Sequence, residues 1–315
     1  MAALQPLILQ RADPFIYRHT DGFYYFTASV PAYDRIELRR SSTLAGLATA
    51  PTVDVWHKPA EGPLSDLIWA PEIHQLRGGW YLYFAAAPSR EIKNHLFQHR
   101  MYVLHCPSAN PLEGPWTLRG QVVTGRESFC LDATAFTHRG ELYYLWAQKD
   151  PAIPGNSNLY LARMETPERI ATKPVMLSRP EFEWETRGFA VNEGPAFLHR
   201  HGRVFITYSA SATDHNYCLG LLWADEQADL LDPISWQKSP EPVFGSCHAG
   251  GVYGPGHSCF TVAEDGETDL LVYHARTYTK IVGDPLWDPN RHTFVKPVRW
   301  DDRGFPQFGR PSSAD

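Results

Sequence analysis

The chain has 315 residues, of which 43% are hydrophobic and 13% aromatic, and its formal net charge is −6. An acidic chain without a basic run is not expected to bind nucleic acid, and no apolar stretch reaches the roughly 18 residues of a membrane-spanning helix. The N-terminus lacks a signal-peptide pattern and the five cysteines form no CxxC pair, which predicts reduced thiols and a cytoplasmic location, or secretion if a signal has been removed.

Aromatic-rich segments that each begin at a turn are the strongest structural signal along the chain. Their β-branched and aromatic residues are typical of a strand that follows a tight turn. They recur about every 60 residues, and a repeat of this length with paired strands is typical of a radial β architecture. In chain order the segments span residues 22–28, 79–85, 140–146, 202–208 and 268–274.

Each repeat has room for four strands of about five to six residues with their turns. The sequence therefore predicts an all-β chain that folds as a five-bladed β-propeller, with residues 1–315 in a single domain. In such a ring the first strand of each blade lines a central channel, and repetition protects the strand edges. We expect the blades at about 13–65, 66–125, 126–185, 186–250 and 251–300.

A polar residue precedes a short apolar run once in every repeat. If each of these residues opens the innermost strand of its blade, all five side chains converge on the channel axis. The structural alternative is that each one bonds the amides of its own turn, but buried charges are costly when they are unpaired. The five residues are Asp13, Glu72, Asp132, Glu193 and His257.

Three carboxylates around one channel suit the hydrolysis of a glycosidic bond. Attack by water needs one carboxylate as base and one carboxylic acid as proton donor. A third acidic neighbour raises the pKa of the donor and keeps it protonated near neutral pH. Asp13, Asp132 and Glu193 are therefore the candidate catalytic residues.

The motifs around these positions resemble those of glycoside hydrolase family 43, which contains five-bladed arabinofuranosidases, xylosidases and arabinanases. The resemblance covers nearly the whole chain, and it implies an inverting mechanism. It also implies that Asp13 is the general base, Glu193 the general acid, and Asp132 the residue that orients Glu193 and tunes its pKa. The motifs are residues 11–15 (RADPF), 69–72 (WAPE), 131–133 (LDA), 192–195 (NEGP) and 256–258 (GHS).

The same resemblance implies further binding residues and no required cofactor. Arg276 matches an arginine that contacts the sugar. His257 matches an axial histidine that in several family members binds calcium or another ion through water. Glu72 stands where the family often has aspartate, a difference that would alter the surroundings of the catalytic residues and leaves Glu72 a candidate for substrate binding.

Aromatic side chains supply the remaining candidates. Trp69, Trp146 and Phe189 could line a sugar subsite, because aromatic rings stack on sugar faces. Packing between blades is the alternative role for Trp69, and packing in the core is the alternative role for Trp146. The histidines lack the close spacing of a zinc site such as HExxH, and Ser258 has no GxSxG context, which argues against serine-hydrolase chemistry.

These observations predict an inverting, exo-acting α-L-arabinofuranosidase that releases arabinose from arabino-oligosaccharides or polysaccharide side chains. A β-xylosidase or an endo-arabinanase of the same family is the nearest alternative. A propeller that binds glycans or proteins without catalysis is an alternative of another class, against which the intact set of three carboxylates argues.

Overall fold

Antiparallel strands repeat five times along the chain, which is seen here in a computed structural model that describes residues 4–312. Each set of strands forms one sheet, and the strands that follow the first lie outward in nearly sequential order. The first strand of every sheet packs against the first strands of both neighbouring sheets, so the five sheets close into a ring. The predicted all-β, five-bladed propeller is confirmed.

The blades differ mainly in their outer strands. The first contains β1 (Ala12–Arg18), β2 (Tyr24–Ser29), β3 (Arg35–Ser41) and β4 (Val53–His57), and the second contains β5 (Asp66–Leu76), β6 (Gly79–Ala87), β7 (Arg100–Cys106) and β8 (Thr117–Gln121). The third contains β9 (Cys130–His138), β10 (Glu141–Gln148), β11 (Asn158–Thr166), β12 (Arg169–Ile170) and β13 (Val175–Ser178), and the fourth contains β14 (Asn192–Arg200), β15 (Arg203–Ala210), β16 (Cys218–Asp225) and β17 (Gln237–Lys238). The fifth contains β18 (Tyr253–Val262), β19 (Asp269–Arg276) and β20 (His292–Pro297), β21 (Arg299–Trp300) pairs with β22 (Pro306–Gln307), and short 3-10 turns lie at Ala45–Ala48, Glu183–Glu185, Pro233–Ser235 and Pro285–Trp287.

The ring is closed by the N-terminal segment, which pairs with the last strand of the fifth blade. The amide of Leu7 donates to the carbonyl of Thr293 at 2.8 Å, and the amide of Thr293 donates to the carbonyl of Ile8 at 2.8 Å. Residues from the two ends of the described chain therefore share one blade, which ties the first blade to the fifth.

The turns between first and second strands fix the register of three blades. At Arg139-Gly140 both residues have positive φ, 51° and 83°, and the corresponding pairs at Arg77-Gly78 and His201-Gly202 do the same. Two successive residues with positive φ match the twist of a tight hairpin, and glycine adopts this conformation without steric cost. All five predicted aromatic segments are accordingly second strands, namely β2, β6, β10, β15 and β19.

Every first strand contains a bulge close to its start. The pairing skips two residues there, and one of them has positive φ in each blade. Such a bulge bends the strand and re-aims its side chains. The residues with positive φ are Asp13, Ala70, Asp132, Gly194 and His257. Strands β5 and β18 have a further bulge nearer their start, with positive φ at Leu67 and Gly254.

The bulges correct one expectation from the sequence, namely that the five polar residues occupy the same place in each repeat. Only Asp13, Asp132 and His257 sit at the residue with positive φ. Glu193 lies one residue before it, opposite Ser209, and Glu72 lies two residues after it, opposite Tyr83. The repeat therefore presents three different kinds of position to the channel.

Large apolar side chains fill the space between blades. Trp80, Trp146, Tyr144 and Tyr208 are each less than 2% exposed, and burial of such a ring contributes on the order of 1.5–3 kcal/mol. The five cysteines are all free and buried. Within residues 4–312 no helix has the length and apolar character needed to cross a membrane.

Candidate active site

A cavity of about 190 Å³ opens at the end of the ring where the first strands begin. Second strands end and third strands begin at this same end, because the strands are antiparallel. The cavity is lined by Asp13, Asp132, Glu193 and His257 from the first strands, together with Arg291 just before β20. The three candidate carboxylates thus share one cavity.

Asp13 is buried and surrounded by cationic and polar groups. Ser29 donates its hydroxyl to Oδ2 of Asp13 at 2.6 Å, and a guanidinium nitrogen of Arg291 lies 3.4 Å from Oδ1. Burial alone would raise the pKa of Asp13, but Arg291 and His257 outweigh it and hold this pKa well below its usual range. The carboxylate is therefore ionised over the whole working range, as a general base must be.

Glu193 has the opposite electrostatic environment. Burial raises the pKa of Glu193 to about 7, although the Tyr217 hydroxyl, which donates to Oε1 at 2.9 Å, acts to lower it. Burial and the nearby carboxylates also raise the pKa of Tyr217 well above its usual range, so this phenol keeps its proton and remains a donor. A carboxyl group with a pKa near neutrality suits a general acid.

Asp132 lies between these two groups. Its Oδ2 accepts the backbone N–H of Gly194 at 3.1 Å and lies 3.6 Å from Nδ1 of His257. Burial, Glu193 and then Asp13 raise the pKa of Asp132. Because Asp132 and Glu193 interact, they titrate as a pair that retains a proton near neutral pH. The bond to Gly194 also ties Asp132 to the residue that directly follows Glu193.

Two of the predicted aromatic residues line the cavity. Trp69 is buried and stacks on the ring of His99 at 4.0 Å, so one of its faces is covered by protein. Phe189 is 56% exposed at the cavity mouth. Gly188, with φ of 78°, approaches Ala212 so closely that a Cβ would lie 2.7 Å from it, and this turn directs Phe189 towards the opening.

Arg276 is a correction to the sequence prediction, because it lies behind the cavity wall. It is 2% exposed, and its guanidinium donates to the carbonyls of Thr213 at 2.6 Å and Pro285 at 2.7 Å. The arginine that lines the cavity is Arg291, which also donates to the Tyr33 hydroxyl at 2.9 Å. Arg276 therefore supports two wall segments, and Arg291 faces the site.

Glu72 and Trp146 are also outside the cavity lining, contrary to their predicted role in substrate binding. Glu72 bonds the ring of His74 at 2.9 Å and is 5% exposed. Trp146 is fully buried, and its indole N–H donates to Gln148 at 2.9 Å. For Trp146 the alternative of packing in the core is what the structure shows, because its ring stacks on Tyr160 of the same blade.

Arg291 and Tyr217 line the cavity but were not among the site residues predicted from the sequence. Both directly precede the third strand of their blade, β20 and β16 respectively, and His99, which supports Trp69, directly precedes β7. A position in the repeat could have identified them, because the residue directly before each third strand lies at the cavity end of the ring.

His257 is the residue near which an ion was expected. Its Nδ1 lies 3.4 Å from Oδ1 of Asp13, so this nitrogen faces a carboxylate that the chemistry needs. Burial lowers the pKa of His257 in spite of that carboxylate. Among residues 4–312, no group of three or more His, Cys, Asp or Glu side chains could hold a metal ion. An ion held through water near His257 stays a prediction.

Comparison with known sequences points in one direction. A profile described as glycosyl hydrolases family 43 matches residues 4–306. The extracellular exo-α-(1→5)-L-arabinofuranosidase of Streptomyces avermitilis is 54% identical over 97% of this chain and 63% of its own length. The α-L-arabinofuranosidase 43 of Humicola insolens is 51% identical over 97% of this chain and 63% of its own. The chain thus spans less than two thirds of these two relatives.

Solved structures give the same picture at the level of fold. An α-L-arabinofuranosidase from Lactobacillus brevis is 57% identical, with a TM-score of 0.97 over 99% of this chain and 98% of that one. An endo-arabinase from Bacteroides thetaiotaomicron has a TM-score of 0.68 over 97% of this chain and 100% of that one at 17% identity, which shows the shared fold alone.

Proposed function

Because the chain belongs to glycosyl hydrolase family 43, we propose that it is an inverting, exo-acting α-L-arabinofuranosidase that releases arabinose from arabino-oligosaccharides or polysaccharide side chains. The observation that carries the proposal is the opposite pKa shift of two carboxyl groups in one cavity, downward for Asp13 and upward for Glu193. Environments that push the pKa values of two carboxyl groups apart assign one as base and the other as acid.

The mechanism follows from the protonation states of these two carboxyl groups. Asp13, ionised, removes a proton from the attacking water, while Glu193, protonated, gives its proton to the oxygen of the leaving sugar. The positive charge of Arg291 keeps Asp13 ionised beside two other carboxyl groups. Inversion requires space for water between base and sugar, so we expect the carboxyl groups of Asp13 and Glu193 to stand about 6.5–9.5 Å apart.

Two observations support exo action on a pentose. The cavity of about 190 Å³ is smaller than the roughly 300–1,000 Å³ of a typical small-molecule pocket, which is closer to one sugar unit than to a chain. The relatives from Streptomyces avermitilis and Streptomyces chartreusis, 54% and 53% identical, are both named exo-α-(1→5)-L-arabinofuranosidases. No cofactor is needed, because the chain itself supplies both acid and base.

A panel of substrates tests the proposal against its alternatives. Aryl α-L-arabinofuranosides, aryl β-D-xylosides and linear α-1,5-arabino-oligosaccharides are incubated with the protein, and products are separated by chromatography. We expect arabinose as the first product. Faster xyloside cleavage would indicate a β-xylosidase, internal oligosaccharide products would indicate an endo-arabinanase, and no cleavage with measurable glycan binding would indicate a non-catalytic propeller.

The site of action is also part of the proposal. Both Streptomyces relatives are named extracellular, which gives no support to the cytoplasmic location expected from the sequence. We infer that the partners of this chain are arabinose-containing glycans met outside the cell.

Phe189 and Ile92 are expected to hold the sugar that leaves. Both line the cavity, and they are 56% and 59% exposed. Phe189→Ala should lower kcat/KM for arabinotriose about tenfold, the effect of losing about 1.4 kcal/mol of apolar contact. Methyl α-L-arabinofuranoside, whose leaving group is too small to reach Phe189, should be cleaved as before. Ile234→Ala, at a side chain 90% exposed and outside the cavity, is the control; equal losses on both substrates would contradict this role.

Asp132→Asn should separate turnover from binding. The asparagine can still accept the N–H of Gly194, so KM should change by no more than about threefold. The substitution removes the carboxyl group with which Glu193 shares a proton, so Glu193 then titrates alone, which should reduce kcat about 10–100-fold and move the basic limb of the pH profile to lower pH. An unchanged basic limb in initial rates measured across pH would show that Asp132 does not tune the pKa of Glu193.

Chelation tests the ion predicted near His257. If an ion is held only through water, overnight dialysis against EDTA should leave kcat/KM within about twofold of its starting value, as no step of the proposed chemistry uses a metal. Loss of activity that zinc alone restores would contradict this expectation.

A further inference from the structure

We propose that Ser29 is a positioning residue for the general base, because its hydroxyl fixes the rotation of the Asp13 carboxylate while its oxygen holds the bulge of the next blade. The inference rests on the proposed function, in which Asp13 activates water. Ser29 itself touches neither substrate nor water in this role, and it acts through Asp13.

The hydroxyl of Ser29 both donates and accepts a hydrogen bond. It lies at the end of β2, is 2% exposed, donates to Oδ2 of Asp13 at 2.6 Å, and accepts the backbone N–H of Ala70 at 2.8 Å. A serine has one proton to donate, so the N–H of Ala70 occupies the oxygen as acceptor and leaves that proton to Asp13. The serine is therefore held in the orientation in which it donates to the carboxylate.

The two oxygens of Asp13 have different neighbours. Arg291, His257 and His274 all approach Oδ1, at 3.4, 3.4 and 3.3 Å respectively. Among residues 4–312, Ser29 is the side chain that bonds Oδ2, and its bond is the shortest of the four. Groups that gather at one oxygen fix its position and leave the plane of the carboxylate free to turn about it. The second point of attachment, at Oδ2, fixes that plane.

Internal symmetry shows which part of this role is general. Positions equivalent to Ser29 in the other blades take up the bulge N–H of the following blade: Ser209 accepts from His257 at 2.7 Å, and His274 accepts from Asp13 at 3.0 Å. Ala85 and Ala147 occupy the same position in the second and third blades. Alanine is therefore tolerated there by the fold, and the bond to a first-strand carboxylate is what distinguishes Ser29.

Several charged or titratable groups face Asp13 and set the background for a pH measurement. Burial opposes the charge of Asp13, and Arg291 and His257 stabilise it, while His274 approaches Oδ1 with the ring nitrogen that accepts the N–H of Asp13. Asp132, Glu193, Tyr33 and Tyr217 also interact electrostatically with Asp13. None of these side chains is altered when Ser29 is replaced, so a change in kcat across the pH series reports the lost hydroxyl.

The experiment compares Ser29→Ala, Ser29→Thr and Ser246→Ala in the full chain. The values of kcat and KM are measured across pH on a 4-nitrophenyl glycoside that the wild type cleaves, with thermal unfolding as a check on folding. Without the attachment at Oδ2 the plane of the Asp13 carboxylate can turn away from the attacking water, so Ser29→Ala should lower kcat about tenfold while KM stays within about twofold. The basic limb, which reports Glu193, should stay in place.

The two other variants separate positioning from scaffolding. Ser246→Ala loses a comparable pair of bonds, because the Ser246 hydroxyl accepts the N–H of Gly254 at 2.9 Å and donates to the carbonyl of His215 at 2.7 Å outside the cavity. It should lose similar thermal stability, but its kcat should match the wild type. Ser29→Thr keeps a hydroxyl and should return kcat to the wild-type value. A kcat of Ser29→Ala that matches the wild type, or an equal loss in Ser246→Ala, overturns the role of Ser29 while leaving the glycosidase intact. Absence of cleavage of every glycoside by the wild type overturns the proposed function, and the role of Ser29 with it.

Discussion

Asp13→Ala is expected to lower kcat/KM by about 10²–10⁴-fold on every substrate, because no other ionised carboxylate in the cavity is placed to activate water. The loss should be similar for an activated aryl arabinofuranoside and for arabinobiose, since the base acts on water and not on the leaving group. KM should change little, because the carboxylate acts mainly in the transition state. Initial rates on the two substrates give the comparison.

The stereochemistry of the wild-type reaction tests the same assignment. An α-linked substrate should give the β-anomer of arabinose first, visible by proton NMR before mutarotation. Asp302→Ala, at an exposed residue in the β21–β22 turn, is the matched carboxylate control and should keep wild-type activity. If the α-anomer appears first, or if azide added to Asp13→Ala gives a glycosyl azide of retained configuration, Asp13 is not the base and a covalent mechanism applies.

Glu193→Ala should show the opposite dependence on leaving group. Arabino-oligosaccharides need a proton on the leaving oxygen and should lose about 10²–10⁴-fold in kcat/KM, while an activated aryl glycoside should lose about tenfold or less. In the wild type the acid must be protonated, so kcat/KM should fall as pH rises through about 7, the pKa to which burial raises Glu193. This basic limb should be missing in Glu193→Ala.

Tyr217→Phe provides a sign test for the acid. The Tyr217 hydroxyl lowers the pKa of Glu193, so its removal should raise that pKa and shift the basic limb to higher pH. The substitution keeps the ring that stacks on His274 at 5.6 Å, which preserves packing. A basic limb that persists in Glu193→Ala, or that moves to lower pH in Tyr217→Phe, would assign it to another group.

The repeat and its strands could be predicted because their causes are local. Alternating apolar and aromatic residues after a turn specify a strand wherever they occur, and turns such as Arg139-Gly140 fix the hairpins from two residues alone. Asp13, Asp132 and Glu193 could be predicted for the same reason, because each stands just before an apolar run near the start of a first strand.

The sequence by itself thus determined the five-bladed ring and the cavity that brings the three carboxylates together. The tertiary structure decided which other side chains line that cavity and how its carboxyl groups titrate. Arg291 meets Asp13 across 278 residues, a contact that forms only when the first and fifth blades come together. Bulges placed Glu193 one residue away from the position that Asp13 holds in its own blade. The opposite pKa shifts of these carboxyl groups arise from burial and from charges on other blades, and both exist only once the ring has closed.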